Sequence, residues 1–315
     1  MAGGFGGAKM AHGFAMLGDR VDLTVIGNTG DDLELHGLHI SPDLDTVMYT
    51  LAGLANPDTG WGVRDETWSA RAMLERYGQP TWFALGDRDL TTHVVRTARL
   101  RSGATLTDVT ADLARSLGIR AWLLPMSDDA VRTKVRTPDG WLDFQDYFVR
   151  RRHRDQVLEL RFEGIESARP TQAVLEALSA AQVIVLAPSN PFVSIGPILA
   201  LAGVIEAVAR AGAPVVAVSP IVGGAALRGP ADRMLRSLVA DAGSAGIARH
   251  YAQRYPLLVR HLVIDRSDAA DESAVRGAGM EPLVAPTVMR DEADRQRLAE
   301  MILGATLAPG VTGVS

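Results

Sequence analysis

Short apolar runs rich in β-branched residues recur along this chain of 315 residues, and stretches of helical periodicity fill the intervals between them. Leu23-Thr24-Val25-Ile26 runs into Gly27-Asn28. Gln182 to Ala187 reads QVIVLA, Val215 to Val218 reads VVAV, and Leu262-Val263-Ile264 and Pro282 to Ala285 follow. Apolar side chains at successive positions mark strands buried on both faces, as in a parallel sheet covered by helices. Leu199 to Arg210 and Ala231 to Asp241 are clear helical stretches. The alternation predicts an α/β, Rossmann-like fold with a mainly parallel sheet flanked by helices.

One region departs from this pattern. Val131 to Thr137 alternates apolar and polar residues, Pro138-Asp139-Gly140 is a turn signal, Leu142 to Val149 reads as a second strand and Val157 to Phe162 as a third. The expectation is one α/β domain over 1–308, carrying an inserted antiparallel and helical subdomain at about 60–165, with a frayed tail at 309–315. The chain has no cysteine, which excludes a disulfide scaffold, a thiolate nucleophile and a thiolate-bound metal. Net charge is −5, and Arg150-Arg151-Arg152 is the only cationic cluster, so no nucleic-acid partner is expected. No apolar run is long enough to span a bilayer, and the start lacks the pattern of a signal peptide. The expectation is a cytoplasmic protein without a membrane partner.

Four segments carry candidate chemistry. Gly3-Gly4-Phe5-Gly6-Gly7 leads into a helix from Ala8. Glycines let backbone N–H groups approach a phosphate, and a helix N-terminus adds a favourable dipole. No Gly-Lys-Ser/Thr follows, so this is not a Walker loop. Such a loop normally follows a strand, yet only two residues precede it. The expectation is therefore a missing first strand or a start lying upstream. Asn28-Thr29-Gly30-Asp31-Asp32 stands just past a strand end, where open α/β sheets bind ligands. In Ser41-Pro42-Asp43-Leu44-Asp45-Thr46, Ser41 reads as an N-cap, Pro42 as the first helical residue and Asp43 as a dipole partner. Asp45 beside Asp31 or Asp32 would make a hard, all-oxygen site suited to Mg²⁺ next to a diphosphate.

The third segment, Gly86-Asp87-Arg88-Asp89 with Thr92-His93, follows the apolar run Trp82-Phe83-Ala84-Leu85, read as a strand. Arg88 offers a planar fork to an anion, and His93 suits a phosphate or hydroxyl; helix capping explains the same charges. The fourth, Ala187-Pro188-Ser189-Asn190-Pro191 with Ser194-Ile195, is a stiff polar turn after a strand, and Ser219-Pro220-Ile221-Val222-Gly223-Gly224 repeats the design after the next strand. Two such loops at neighbouring strand ends point to a shared ligand crevice. His12, His36, His39, His153, His250 and His261 are scattered and read as surface or packing residues.

In this order, these segments resemble the 2-phospho-L-lactate transferase family, including its actinobacterial-type phosphoenolpyruvate transferases, over nearly the whole chain. The resemblance implies a Mg²⁺-dependent homodimer. It implies transfer of a phospho-acid from guanosine-diphospho-enolpyruvate, or from lactyl-diphospho-guanosine, to the ribityl 5′-hydroxyl of the deazaflavin Fo. GMP leaves, and the product is the zero-glutamate form of coenzyme F-420 or its dehydro form. By the same resemblance Asp31 and Asp45 hold the metal, with Asp32 and Asp43 as alternatives. Gly4, Gly6 and Gly7 lie against the phosphates, and Asn28, Ser189, Asn190 and Ser194 hold the nucleotide. Asp87, Arg88 and His93 line the acceptor or phospho-acid side, and Asp45 or Asp87 serves as base. The segments Gly60-Trp61-Gly62 and Trp82-Phe83 lean toward the enolpyruvyl donor. Two other readings remain open: a sugar-nucleotide-binding regulator of the gluconeogenesis-factor type that does no chemistry, and a nicotinamide-dependent oxidoreductase. The second fits poorly, because Asp22 precedes a strand where an acidic residue should end one.

Overall fold

The computed structural model describes residues 1–307; the tail expected at 309–315 lies outside them. From the N-terminus, α1 (Gly4–Ala15) leads to β1 (Thr24–Gly27) and a small hairpin, β2 (Leu33–Leu35) with β3 (Leu38–Ile40), before α2 (Pro42–Leu51). A helical layer follows, α3 (Ser69–Arg76), α4 (Asp87–Arg101) and α5 (Leu106–Ser116), then β4 (Trp122–Pro125). Next come β5 (Arg132–Thr137), β6 (Gly140–Asp143), β7 (Glu159–Glu163), α6 (Gln172–Ala180) and β8 (Ile184–Leu186). Helices α7 (Gly196–Ala200) and α8 (Val204–Ala211) precede β9 (Val215–Val218), the two-residue strands β10 (Ile221–Val222) and β11 (Ala225–Ala226), α9 (Ala231–Leu238) and α10 (Ser244–Arg254). The described chain closes with β12 (His261–Asp265), α11 (Glu272–Gly277), β13 (Glu281–Ala285) and α12 (Glu292–Leu307).

Strands β8, β9, β12 and β13 form a parallel sheet in that order, and β1 pairs with β4, also in parallel. Met1 and Ala2 join the two parts. The Ala2 N–H donates to Ile26 O (2.9 Å), Asn28 N–H to Ala2 O (3.1 Å), Ala187 N–H to Met1 O (3.0 Å), and the Met1 amine to Val185 O (2.8 Å). The position of the strand expected to be missing is thus held by two residues. They put the glycine loop at the carboxyl ends of β1 and β8.

Side chains alternate across the sheet with a period of two. Val25, Val216, Val218 and Val263 face a core shared with α1, α2 and α12. Ile26, Leu186, Ala217, Leu262 and Ile264 face the opposite core, with α6 to α10 and the antiparallel layer. Covered on both faces, the strands contain few polar residues.

The antiparallel layer is present, in the order β6-β5-β7. Its second strand is shorter than the expected Leu142 to Val149: pairing stops at Asp143, and Asp146–Arg150 forms a π-helical turn. Phe144, Tyr147 and Phe148 stand at i, i+3 and i+4, a spacing that collects them on one face only in a helical backbone. The Phe144 and Phe148 rings stack at 5.5 Å. Trp82 to Leu85, expected as a strand, is irregular; Trp82 and Phe83 instead pack edge to face at 5.8 Å. Leu199 to Arg210 is broken into α7 and α8 at Gly203, whose φ of +92° suits glycine. Within the expected insertion at about 60–165, β4 pairs in parallel with β1.

Candidate active site

The carboxyl ends of β1 and β8 open onto a cavity of about 920 Å³. One wall is the start of α1. The Gly3 N–H donates to Ser189 Oγ (3.1 Å), and the Ser189 hydroxyl donates to Gly3 O (2.8 Å). This exchange clamps the glycine loop to the loop after β8. The approach is close: a Cβ on Gly6 would stand 2.3 Å from Pro188 O, and one on Gly7 2.5 Å from Ser189 Oγ. The N-cap Gly3 has no side chain to cap α1, and the Gly4 N–H is turned to the Asp43 carboxylate; Gly3, Gly4 and Gly6 line the cavity, with Gly7 behind them against Ser189. Helix N-terminal amides are an anion-binding arrangement.

The second wall is acidic. Asn28, fully buried, donates through Nδ2 to Asp31 Oδ1 (3.0 Å), Asp43 Oδ2 (2.9 Å) and Val193 O (3.2 Å), and accepts from Gly30 N–H (2.8 Å). It therefore ties the end of β1 to α2 and to the loop after β8. Asp31 and Asp43 line the cavity. Burial, reinforced by Asp43 and Asp32, pushes the Asp31 carboxyl well above the usual carboxylate range. Burial lifts Asp43 to about 6, against hydrogen bonds from Asn28, the Gly4 N–H and Ser194. Gln145 Nε2 donates to Asp31 O (3.1 Å) and Oδ2 (3.3 Å). The Ser41 hydroxyl, expected to cap α2, donates instead to Asp32 Oδ2 (2.9 Å), which also contacts His39 Nε2 (2.9 Å). Two buried carboxylates sharing one amide donor make a site that a divalent cation would stabilise. Among the described residues no group of three or more His, Asp or Glu side chains is placed to hold a metal unaided. Mg²⁺ commonly takes one or two carboxylates and completes its shell with phosphate oxygens and water, and Asp31 with Asp43 fits that pattern.

Asp45 is engaged differently. Arg96, 1% exposed, donates to both of its oxygens, to Oδ2 at 3.0 Å. His93 lies alongside, with Nδ1 3.7 Å from Asp45 Oδ2 and Nε2 3.3 Å from Asp89 Oδ1. The Tyr49 hydroxyl donates to Asp89 Oδ1 (2.8 Å). Burial and the two carboxylates drive the Tyr49 phenol far above its ordinary pKa, so it stays a neutral donor. Asp45, Tyr49, Asp89 and His93 all reach the cavity.

Of the residues expected from sequence, Gly4, Gly6, Asp31, Asp45, His93, Ser189, Asn190 and Ser194 come together at the cavity. Asn28 and Gly7 support it from behind. Asp87 and Arg88 are not brought there. Asp87 accepts from the Thr67 hydroxyl (2.6 Å) and the Ser69 (3.0 Å) and Ala70 (2.9 Å) N–H groups, capping α3, and Arg88 Nη1 donates to Arg64 O (3.2 Å). The Asn190 side-chain Oδ1 accepts from Phe192 N–H (2.9 Å) and shapes its own turn. Sequence reasoning gave no site role to Tyr49, Asp89, Arg96 or Gln145, although Asp89 stands within the third candidate segment. For two of them a signal existed, since Tyr49 is four residues after Asp45 and Asp89 four before His93, each on the same helix face. It also missed the aromatic wall of Phe5, Trp61, Trp82, Phe83, Phe144 and Phe148.

Residues 1–303 match the family described as 2-phospho-L-lactate transferase CofD. The chain is 45% identical over 297 residues to a phosphoenolpyruvate transferase of Kitasatospora aureofaciens, covering 92% of each chain. It is 46% identical over 296 residues to one of Streptomyces griseus, again with 92% of each covered. Its fold is similar to that of a UPF0052 family member from Bacillus halodurans, with a TM-score of 0.64 and 15% identity over 96% of this chain and 97% of that one. The chain belongs to the 2-phospho-L-lactate transferase CofD family and is a transferase of coenzyme F-420 biosynthesis.

Proposed function

We propose that this transferase moves a phosphoenolpyruvyl group from a guanosine-diphosphate-linked donor to the ribityl 5′-hydroxyl of Fo, giving dehydro coenzyme F-420-0 and GMP. The observation that carries the reading is the make-up of one cavity: the glycine-rich start of a helix, two buried carboxylates and an aromatic wall. These suit a diphosphate, a divalent cation and two flat ring systems respectively. The relatives named phosphoenolpyruvate transferase favour the enolpyruvyl over the lactyl donor.

In the reaction the acceptor hydroxyl oxygen attacks the phosphorus that bears the acid. The bond from that phosphorus to the bridging oxygen breaks, and GMP leaves with the electron pair. Catalysis of this kind is positioning and charge stabilisation. The residues assigned to Mg²⁺ are Asp31 and Asp43, while both oxygens of Asp45 are held by Arg96; when bound, the ion would offset charge on the diphosphate. Gly4 and Gly6 lie against the phosphates, while Ser189, Asn190 and Ser194 shape the nucleotide side. Asp89 and His93, which reach the cavity 3.3 Å apart, are the groups we assign to the hydroxyl proton. The protein acts as a homodimer in this reading.

The test is GMP release followed with Fo, Mg²⁺ and donor all present, then with each left out. Release that requires all three supports the reading. Tight binding of a UDP-sugar with no GMP release would replace it with the regulatory sugar-nucleotide protein.

A further inference from the structure

The cavity has a cationic side that the acidic cluster does not neutralise. Lys9 stands one turn after Phe5 on α1, and its ammonium lies 4.3 Å from the centre of the Phe5 ring. The guanidinium of Arg228, from the loop between β11 and α9, lies 4.4 Å from the same centre. Both residues line the cavity. Their polar hydrogens go to neutral backbone carbonyls: Lys9 Nζ donates to Met289 O (2.6 Å), and Arg228 to Thr59 O and to Asp58 O, the latter at 3.2 Å. Neither forms a side-chain ion pair among the described residues. Asp294 is the carboxylate whose field reaches Lys9, and Arg297 Nη2 already donates to it at 2.6 Å. A Cβ on Gly60 would stand 2.5 Å from Arg228 Nη1 and 2.7 Å from the Phe5 ring. The loop backbone is thus pressed against the guanidinium and limits where it can go.

Two cations held beside one ring without a counter-charge repel each other, and partial removal from water raises the cost. An anion between them reverses both effects. We infer that Lys9 and Arg228 form the subsite for an anionic group of the donor. The proposal rests on the donor reading given above and adds residues to it. The group is either the diphosphate or the carboxylate of the acid it carries; both are planar or forked oxyanions that accept charge-assisted hydrogen bonds.

The test is titration calorimetry in Mg²⁺ with two ligands, GDP and lactyl-diphospho-guanosine, which share the diphosphate and differ in the carboxylate. Wild type is compared with Lys9→Met and Arg228→Met, and with the charge-keeping Lys9→Arg and Arg228→Lys. Loss of a charged hydrogen bond predicts a rise in Kd of roughly tenfold or more in each Met variant, largely recovered in the charge-keeping ones. Equal weakening of both ligands assigns the subsite to the diphosphate, and weakening of the lactyl ligand alone assigns it to the carboxylate. Unchanged Kd for both ligands in Met variants that melt like wild type overturns the proposal. If Arg228→Met loosens the 58–60 loop and lowers the melting temperature, Lys9→Met decides alone. Wild type that binds neither ligand rejects the donor reading itself, a separate result.

Discussion

The guanidinium of Arg96 holds both carboxylate oxygens of Asp45, and the two side chains are only 1% and 6% exposed. Arg96 thereby sets the orientation of a carboxylate at the cavity wall. Removing one partner leaves the other charge buried alone. Arg96→Met is expected to lower stability by about 3–5 kcal/mol, read as a shift in the denaturant midpoint. Replacing both residues with apolar side chains should recover much of the loss, because the stranded charge is gone. An unchanged midpoint in the single variant would show that the pair is not energetically coupled.

Asp43 ties function to a stability cost. Its pKa is about 6 in the folded chain, against 3.8 ordinarily. Between those values the folded state keeps a proton that the unfolded state has lost, so stability falls as pH rises through that window. Above it the penalty is constant. Asp43→Asn should remove this slope and stabilise the ligand-free protein at pH 7.5 by at most about 3 kcal/mol. The raised pKa of Asp31 acts in the same direction. Turnover should fall by roughly a hundredfold or more in the same variant, since a group facing transition-state charge is lost. Melting curves from pH 4 to 8 and GMP release check the two halves separately.

Gly6 is required by contact. Its Cβ would stand 2.3 Å from Pro188 O, and backbone cannot swing aside as a flexible side chain can. Gly6→Ala should cost about 1–3 kcal/mol and weaken GDP by moving the α1 amides away from the loop after β8. Gly277→Ala is the control, because nothing lies within 4 Å of its Cβ position. It should be neutral or stabilising by about 0.5 kcal/mol.

Asp87 caps α3 from outside the cavity. Asp87→Ala should speed hydrogen exchange at Ser69 and Ala70 and leave turnover intact. Collapse of turnover with α3 protection unchanged would return Asp87 to the catalytic set.

The buried strands were legible because burial on both faces leaves nothing but apolar residues, and such runs stand out in a line of sequence. The acidic segment 28–32 and the loops after β8 and β9 were legible for a similar reason, as they cluster polar or small residues right after those runs, whereas the glycine loop stood out by composition alone. What escaped notice depends on three-dimensional partners. Ser41 reads as a cap by its position before Pro42, yet its hydroxyl turns to Asp32, which β2 and β3 carry alongside. Asp87 and Asp89 are two residues apart on α4, but one faces Ser69 and the other Tyr49. Arg96 reads as one more arginine on a charged helix until α2 supplies Asp45. The turn at Asp146–Arg150 was hidden because its aromatics have high strand propensity and were read without their helical spacing.

The most direct measurement is the mass of the deazaflavin recovered after incubation of the purified protein with Fo, Mg²⁺ and guanosine-diphospho-enolpyruvate. The expected result is conversion of Fo to dehydro coenzyme F-420-0, with GMP formed in equal amount and no conversion without Mg²⁺. Recovery of unchanged Fo, from folded protein shown to bind GDP, would contradict the proposed transfer.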